Sequence, residues 1–251
     1  MRRLWMSLLL APVTAVAVAS AAWASPAAHA ATAGPAASAA HAARTASAAS
    51  APALQPGSKG PAVKALQRRL AALKYYPGKI DGHFGMNTLE AVWAFYEVQG
   101  LTPHNYVNSA MNRALAHPKA PRVLVRRGGA NRVEVNLTRE VLVLYSNNKV
   151  QLISHVSTGG HYHYCSSGGC GYAVTPTGNF RTTVYMPGWV HVPLGEMYNP
   201  VFFIGTAFAI HGEPDVPLAP VSHGCVRIPM DIAAFFHKLV KVPGERVYIR
   251  Y

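Results

Sequence analysis

From Val133 to Arg250 apolar residues recur at every second position in short runs separated by polar turns. A strand puts alternate side chains on opposite faces, so this stretch can bury one face of a sheet but not one face of a helix. Val133, Val135 and Leu137 share a face, and Thr138-Arg139-Glu140 turns the chain. Val141–Tyr145 is a second strand, closed by Ser146-Asn147-Asn148-Lys149, whose asparagines suit left-handed turn positions. Val150–Ser157, Phe180–Tyr185, Val201–Ile204, Ala207–Ile210 and Val247–Arg250 follow as further strands. Met230–Val240 reads as one amphipathic helix, with Pro229 and Asp231 near its start. Many short strands and one late helix predict a mixed β-sandwich over residues 122–251.

The preceding segment has a different period. Val63, Leu66, Leu70 and Leu73 lie at helical spacing, with Pro61 in the first turn. Tyr75-Tyr76-Pro77-Gly78 ends that helix, and Asp81-Gly82-His83-Phe84-Gly85 makes a turn. Asn87 with Glu90 three residues later forms a capping-box pattern for a second helix carrying Leu89, Val92, Trp93 and Tyr96. A short third helix is expected over Ser109–Ala116, and the Pro-flanked joint His117–Pro121 closes a module spanning 54–117. The fold class is therefore α+β and multi-domain, a small three-helix module followed by a mainly β, sandwich-like domain.

Before residue 54 the chain carries no packing pattern. Met1-Arg2-Arg3 is a positive n-region, and Leu4 to Ala28 is uncharged. Ala22-Trp23-Ala24 and Ala28-His29-Ala30 offer small-x-small cleavage sites, so residues 1–30 read as a signal peptide. An uncleaved membrane anchor is the alternative; either way the protein is exported. Residues 31–53, rich in Ala, Ser, Thr and Pro, read as a tether. The formal charge of +13 favours polyanions. No Lys/Arg-striped helix or nucleic-acid module accompanies it, so a carboxylate-rich wall is expected and nucleic acid is not.

Export bears on the three cysteines. His161, His163, Cys165 and Cys170 look like a zinc cluster, but a second ligand pair of familiar spacing is missing and no metal is expected. A disulfide between Cys165 and Cys170 suits an exported chain, and closing so short a loop contributes roughly 2 kcal/mol. Cys225 then remains as the free thiol. It stands in Ser222-His223-Gly224-Cys225-Val226-Arg227, downstream of Ile210-His211-Gly212. Thiol catalysis needs a base and oxyanion donors, and His211 and the backbone around Gly224 offer both. A buried structural cysteine beside core histidines is the plainer alternative for these residues taken alone.

The combined pattern, with Ser157-Thr158-Gly159 and Thr175-Pro176-Thr177-Gly178-Asn179-Phe180 upstream, resembles the L,D-transpeptidase (YkuD-type) catalytic domain. Ten residues separate His211 from Ser222, fewer than in many members. The resemblance implies a Cys225 nucleophile acting on peptidoglycan tetrapeptide stems and His211 as the base, oriented by the Gly212 carbonyl. It further implies oxyanion donation by the N–H groups of Gly224 and Cys225, support from Ser222 and His223, and a loop or substrate role for Arg227. Trp189 and Tyr198, with neighbouring Leu194, Gly195 and Met197, either pack or wall the cleft. The implied product is a 3→3 cross-link formed through a thioester with release of D-Ala; water as acceptor would make the enzyme an L,D-carboxypeptidase. No cofactor is needed, because one amide replaces another. Carbapenem-type β-lactams are the implied inhibitors, and a monomer is expected. Residues 54–117 resemble the peptidoglycan-binding-1 domain through Gly57, Gly60, Val63, Leu66, Gln67, Leu70, Asp81, Gly82, Phe84, Gly85, Thr88, Ala91, Val92, Phe95 and Gly100. That resemblance also allows a non-catalytic wall-binding protein.

Overall fold

The computed structural model describes residues 53–166 and 169–251. The expected signal peptide and nearly all of the expected tether lie outside the described residues. Pro61–Ala72 (α1), Met86–Gln99 (α2) and Ser109–Ala116 (α3) form the helical module. Gln67 holds its turn together from inside. Its side chain donates to the His83 carbonyl at 3.0 Å and to Thr88 Oγ1 at 3.1 Å, and accepts the Gly82 N–H at 2.8 Å. A buried amide satisfied this fully fixes the turn rather than weakening the core.

The start of α2 differs from the capping-box expectation. Gly85 is its N-cap and no side chain caps it. Backbone hydrogen bonds between Phe84 and both Gly57 and Ser58 fix the loop up to Gly85, so Asn87 is already helical. Its amide donates instead to Asp231, and Glu90 is buried.

Two sheets follow. Arg132–Asn136 (β1), Val141–Ser146 (β2) and Lys149–His155 (β3) are joined by tight turns, the second with Asn147 and Asn148 at φ 50° and 59°. His163–Ser166 (β4) and Gly169–Tyr172 (β5) make a separate hairpin. Then come Gly178–Arg181 (β6), Trp189–Val192 (β7), Gly195–Ile204 (β8), Phe208–Glu213 (β9) and Val226–Pro229 (β10). Met230–Leu239 (α4) and Arg246–Arg250 (β11) close the chain. The first sheet has the order β3-β2-β1-β11-β6 and the second β10-β9-β8-β7. The expected strand Phe180–Tyr185 is only partly regular: β6 stops at Arg181, and Tyr185 makes an isolated bridge to Val201. β7 and β10 carry no long apolar run and were not foreseen.

Val133, Val135, Leu142 and Leu144 of the first sheet meet Val201, Phe203, Ile210, Val226 and Ile228 of the second, with Ile232 and Phe236 of α4 closing the core. The other face of β2 is buried too. Val141, Val143 and Tyr145, with Ile153 of β3, pack into the same cluster as Leu70, Val92 and Phe95 of the helices. This explains the unbroken apolar run Val141–Tyr145, since a strand covered on both faces has no polar side. It also explains α2, where eleven of fourteen residues are buried. A helix wedged between a helix and a sheet must be apolar nearly all round. The joint after α3 is clamped to α2, where Gln99 accepts the Lys119 N–H and donates to its carbonyl.

Among the buried polar residues of α2, Glu90 is a carboxyl without an ion-pair partner among the described residues. Burial raises its carboxyl to about 8, so it folds protonated at neutral pH. A folded-state value above the unfolded one means stability is greatest below about 4.5 and declines as pH rises toward 8. Glu90→Gln should therefore be more stable than the parent at pH 8, by about 2–4 kcal/mol, and differ little at pH 5. Thermal denaturation at the two pH values tests this; a pH-independent difference would contradict it.

Candidate active site

β9 and β10 run parallel, with Ile210 opposite Val226 and His211 opposite Arg227. Ile210 and Val226 face the inter-sheet core and are fully buried. Alternation therefore turns His211 and Arg227 the other way, into a cleft of about 400 Å³ that Cys225 also lines. The β4–β5 hairpin supplies one wall through Tyr164 and Cys170. The tip of the β7–β8 hairpin supplies another through Val192, Leu194, Gly195 and Met197.

His211 is held in one tautomer. Its Nδ1 lies 3.1 Å from the Gly212 carbonyl, which can only accept, so Nδ1 carries the proton and Nε2 is the basic nitrogen. Glu213 approaches the same nitrogen only to 3.8 Å, too far for a hydrogen bond. Burial depresses the His211 pKa to about 4; the bond to Gly212 opposes this and the Arg227 charge adds to it. Cys225 is the free cysteine among the described residues. Burial pushes its thiol up, against a hydrogen bond from the Ala209 backbone and the pull of Arg227. At neutral pH the site thus holds a thiol and a neutral imidazole, and desolvation favours neither ionised form.

The loop around Cys225 is locked by short bonds. Ser222 Oγ donates to the Cys225 carbonyl at 2.6 Å and accepts the Gly224 N–H at 3.0 Å. The Gly224 N–H is thereby occupied, which corrects its expected role as an oxyanion donor. Gly224 itself adopts φ 141°, and a methyl group there would lie 2.5 Å from Phe208 and 2.7 Å from the Val174 carbonyl. Only glycine meets both demands. Thr175 Oγ1 donates to the Gly224 carbonyl and accepts the Gly159 N–H, both at 2.8 Å. Thr158 donates through its N–H and its hydroxyl to Glu140, both at 2.7 Å, a buried carboxyl that desolvation raises to about 7. Residues 157–159 and 175 of the sequence motifs therefore act as a frame behind the loop that bears Cys225.

His223 lines the cleft and packs edge-on against Tyr162 and Tyr164, with ring centroids 5.7 and 4.6 Å away. Desolvation lowers its pKa, so it too is largely neutral near pH 7. Arg227 has a buried Nε without a hydrogen-bond partner, 3.8 Å from Glu213. Trp189 and Tyr198 do not line the cleft. They are direct partners in the β7–β8 pairing, with rings 5.3 Å apart, and Tyr198 packs against the inter-sheet core. Their neighbour Met197, one residue out of phase, takes the cleft face. Cys165 and Cys170 are disulfide-bonded across β4 and β5, which removes both as metal ligands. Glu140, Glu213 and Tyr164 were not singled out in the sequence; Glu140 and Tyr164 meet partners distant along the chain, Thr158 and His223, and Glu213, two residues from His211, belongs to no motif pattern.

The chain matches the profile of the L,D-transpeptidase catalytic domain over residues 130–249 and that of a putative peptidoglycan binding domain over 59–115. It is similar to the crystal structure of the L,D-transpeptidase (residues 123–326) from Xylanimonas cellulosilytica, with 32% identity and a TM-score of 0.74. That match covers 80% of this chain and 98% of the other. An L,D-transpeptidase from Stackebrandtia nassauensis matches over 80% and 98% of the two chains, with 20% identity and a TM-score of 0.45. Among curated proteins none matches.

Alkylation of the unreduced, folded protein should modify Cys225 and neither Cys165 nor Cys170, because only Cys225 is a free thiol open to the cleft. Peptide mass mapping after maleimide treatment checks this. Labelling at Cys165 or Cys170 would contradict the disulfide.

Proposed function

This chain belongs to the L,D-transpeptidase family, and we propose that it forms 3→3 cross-links in peptidoglycan through a thioester on Cys225. The observation that carries the reading is the free thiol of Cys225 in one cleft with His211, whose Nδ1 proton is tied to the Gly212 carbonyl. Residues 54–117 serve as a wall-binding module and residues 122–251 as the catalytic domain, so the protein acts at the cell wall.

In the first step Cys225 Sγ attacks the carbonyl carbon between the third stem residue and the terminal D-Ala. His211 Nε2 takes the thiol proton as the C–S bond forms, because the thiol is not ionised beforehand. The oxyanion is met by the Cys225 N–H. When the C–N bond breaks, His211 returns its proton to the leaving D-Ala amine, leaving a thioester and a neutral imidazole. A side-chain amine of a second stem then attacks the thioester. Its proton passes to His211 and on to the departing thiolate, restoring the starting state. Amide is exchanged for amide, so the cycle consumes no energy-rich co-substrate. Carbapenem-type β-lactams present a strained carbonyl to the same thiol and acylate it. Ser222 keeps the loop in shape, His223 and Tyr164 border the donor stem, and Arg227 faces its carboxylates.

The reading is tested by incubating the protein with disaccharide-tetrapeptide and analysing the products by mass. Wild type should give 3→3 dimers and free D-Ala, with a minor share of tripeptide from water that falls as substrate concentration rises. Cys225→Ala should give none of these yet still sediment with insoluble wall. Tripeptide alone would make the enzyme a carboxypeptidase. Dimers from Cys225→Ala would overturn the nucleophile assignment.

A further inference from the structure

The loop that carries Ser222 to Cys225 is suspended from residues that have no part in the chemistry, and one suspension point leads out of the catalytic domain. After β9 the chain runs from Pro214 to Val221 alongside the extension of β3. Ser157 Oγ donates to the Ala219 carbonyl at 2.8 Å and accepts the Val221 N–H at 3.2 Å. The Ser222 N–H donates to the Thr158 carbonyl, and the Gly160 N–H to the Ser222 carbonyl. These bonds hold the loop's second half. Its first half is held by His155, the last residue of β3, whose Nε2 lies 3.1 Å from the Pro217 carbonyl. His155 Nδ1 lies 2.8 Å from Glu97 Oε1 of α2. The Trp93 indole, also on α2, makes a T-shaped contact with the imidazole, and Leu218 of the loop packs into the helical module's core.

His155 is 1% exposed and Glu97 7%. A carbonyl can only accept, so Nε2 must carry a proton, and Nδ1 is left to share a proton with the Glu97 carboxyl. Without Glu97 the ring could place its single proton on Nδ1, and the bond to Pro217 would be lost. We propose that Glu97 and His155 are positioning residues through which the helical module sets the catalytic loop, so that α2 contributes to acyl transfer without touching substrate. The inference rests on the assignment of Cys225 as nucleophile only for its kinetic readout. Burial works against both ionised forms while their mutual hydrogen bond works for them; the pKa values of both Glu97 and His155 end up raised, so the pair holds a proton between them. The arrangement gives the module a role that wall affinity alone does not supply.

The test compares Glu97→Leu, Glu97→Gln and His155→Gln in the full chain, with single-turnover acylation by a carbapenem and amide hydrogen exchange. Leucine at 97 leaves Nδ1 without a partner, whereas glutamine can donate to it and keep the proton on Nε2. Glu97→Leu should lower the first-order acylation constant about ten- to a hundredfold, with half-saturation unchanged within about twofold. It should also speed exchange at the Val221 and Ser222 amides. Glu97→Gln should restore both readouts. Adding Glu97→Leu to His155→Gln should cost nothing beyond His155→Gln alone. If Glu97→Leu does not fold, His155→Gln carries the same expectations of slower acylation and faster exchange. Full acylation rate with unchanged exchange in a folded Glu97→Leu, or losses that multiply in the double variant, would overturn the proposal. Should the wild type fail to acylate, the proposed function falls, and the exchange data still decide this inference.

Discussion

The parallel pairing of β9 with β10 is the contact on which the site depends. It places Ile210 beside Val226 and His211 beside Arg227, and the two rows have opposite fates. The inward row is part of the sandwich core and fixes the strands, each fully buried aliphatic contributing roughly 1.5–3 kcal/mol. The outward row is thereby fixed without having to pack itself. A one-residue slip of this pairing would send His211 into the core and Ile210 into the cleft. The same short stretch that stabilises the fold therefore also aims the chemistry.

Burial then sets the ionisation state. His211 is held near 4 and the Cys225 thiol is pushed up, so a preformed thiolate–imidazolium pair is disfavoured twice. The carbonyl of Gly212 contributes orientation where a carboxylate would also contribute charge, and Glu213 stands too far off to supply it. The loop bearing Cys225 needs a rigid backing, because proton transfer concerted with attack tolerates little misplacement. Thr158, Thr175 and Ser222 provide it with hydrogen bonds of 2.6 to 3.0 Å, and Gly224 gives up its side chain to allow the approach of Phe208.

Much of this could be read from the chain. Alternation located β1, short apolar runs between polar turns located β2, β3 and β11, helical spacing located the three helices of the module, and the motifs around His211 and Cys225 pointed to one site through their resemblance to a known family. What escaped had identifiable causes. β10 is four residues long and begins inside the motif, at Val226 and Arg227, so nothing marked it as a strand. The Val141–Tyr145 run showed a strand but not that its second face is covered by helices, which is a tertiary fact. Asn87 satisfied a capping pattern locally, but contacts of Phe84 with the preceding loop started the helix earlier. For Trp189 and Tyr198 the sequence left packing and walling the cleft both open, and the pairing of β7 with β8 sets their rings against each other, with Tyr198 against the inter-sheet core. His155 and Glu97 are 58 residues apart, and no local pattern joins them.

The central claim is that Cys225 and His211 meet substrate as a neutral pair and exchange a proton during attack. Thiolate absorbance in the ultraviolet, measured across pH as the difference between wild type and Cys225→Ser with the disulfide intact, tests it most directly. The account predicts no thiolate signal between pH 5 and 8 and a rise only above the ordinary thiol value of 9.0. A thiolate signal already present at pH 6, removed by His211→Ala, would show a preformed ion pair and contradict it.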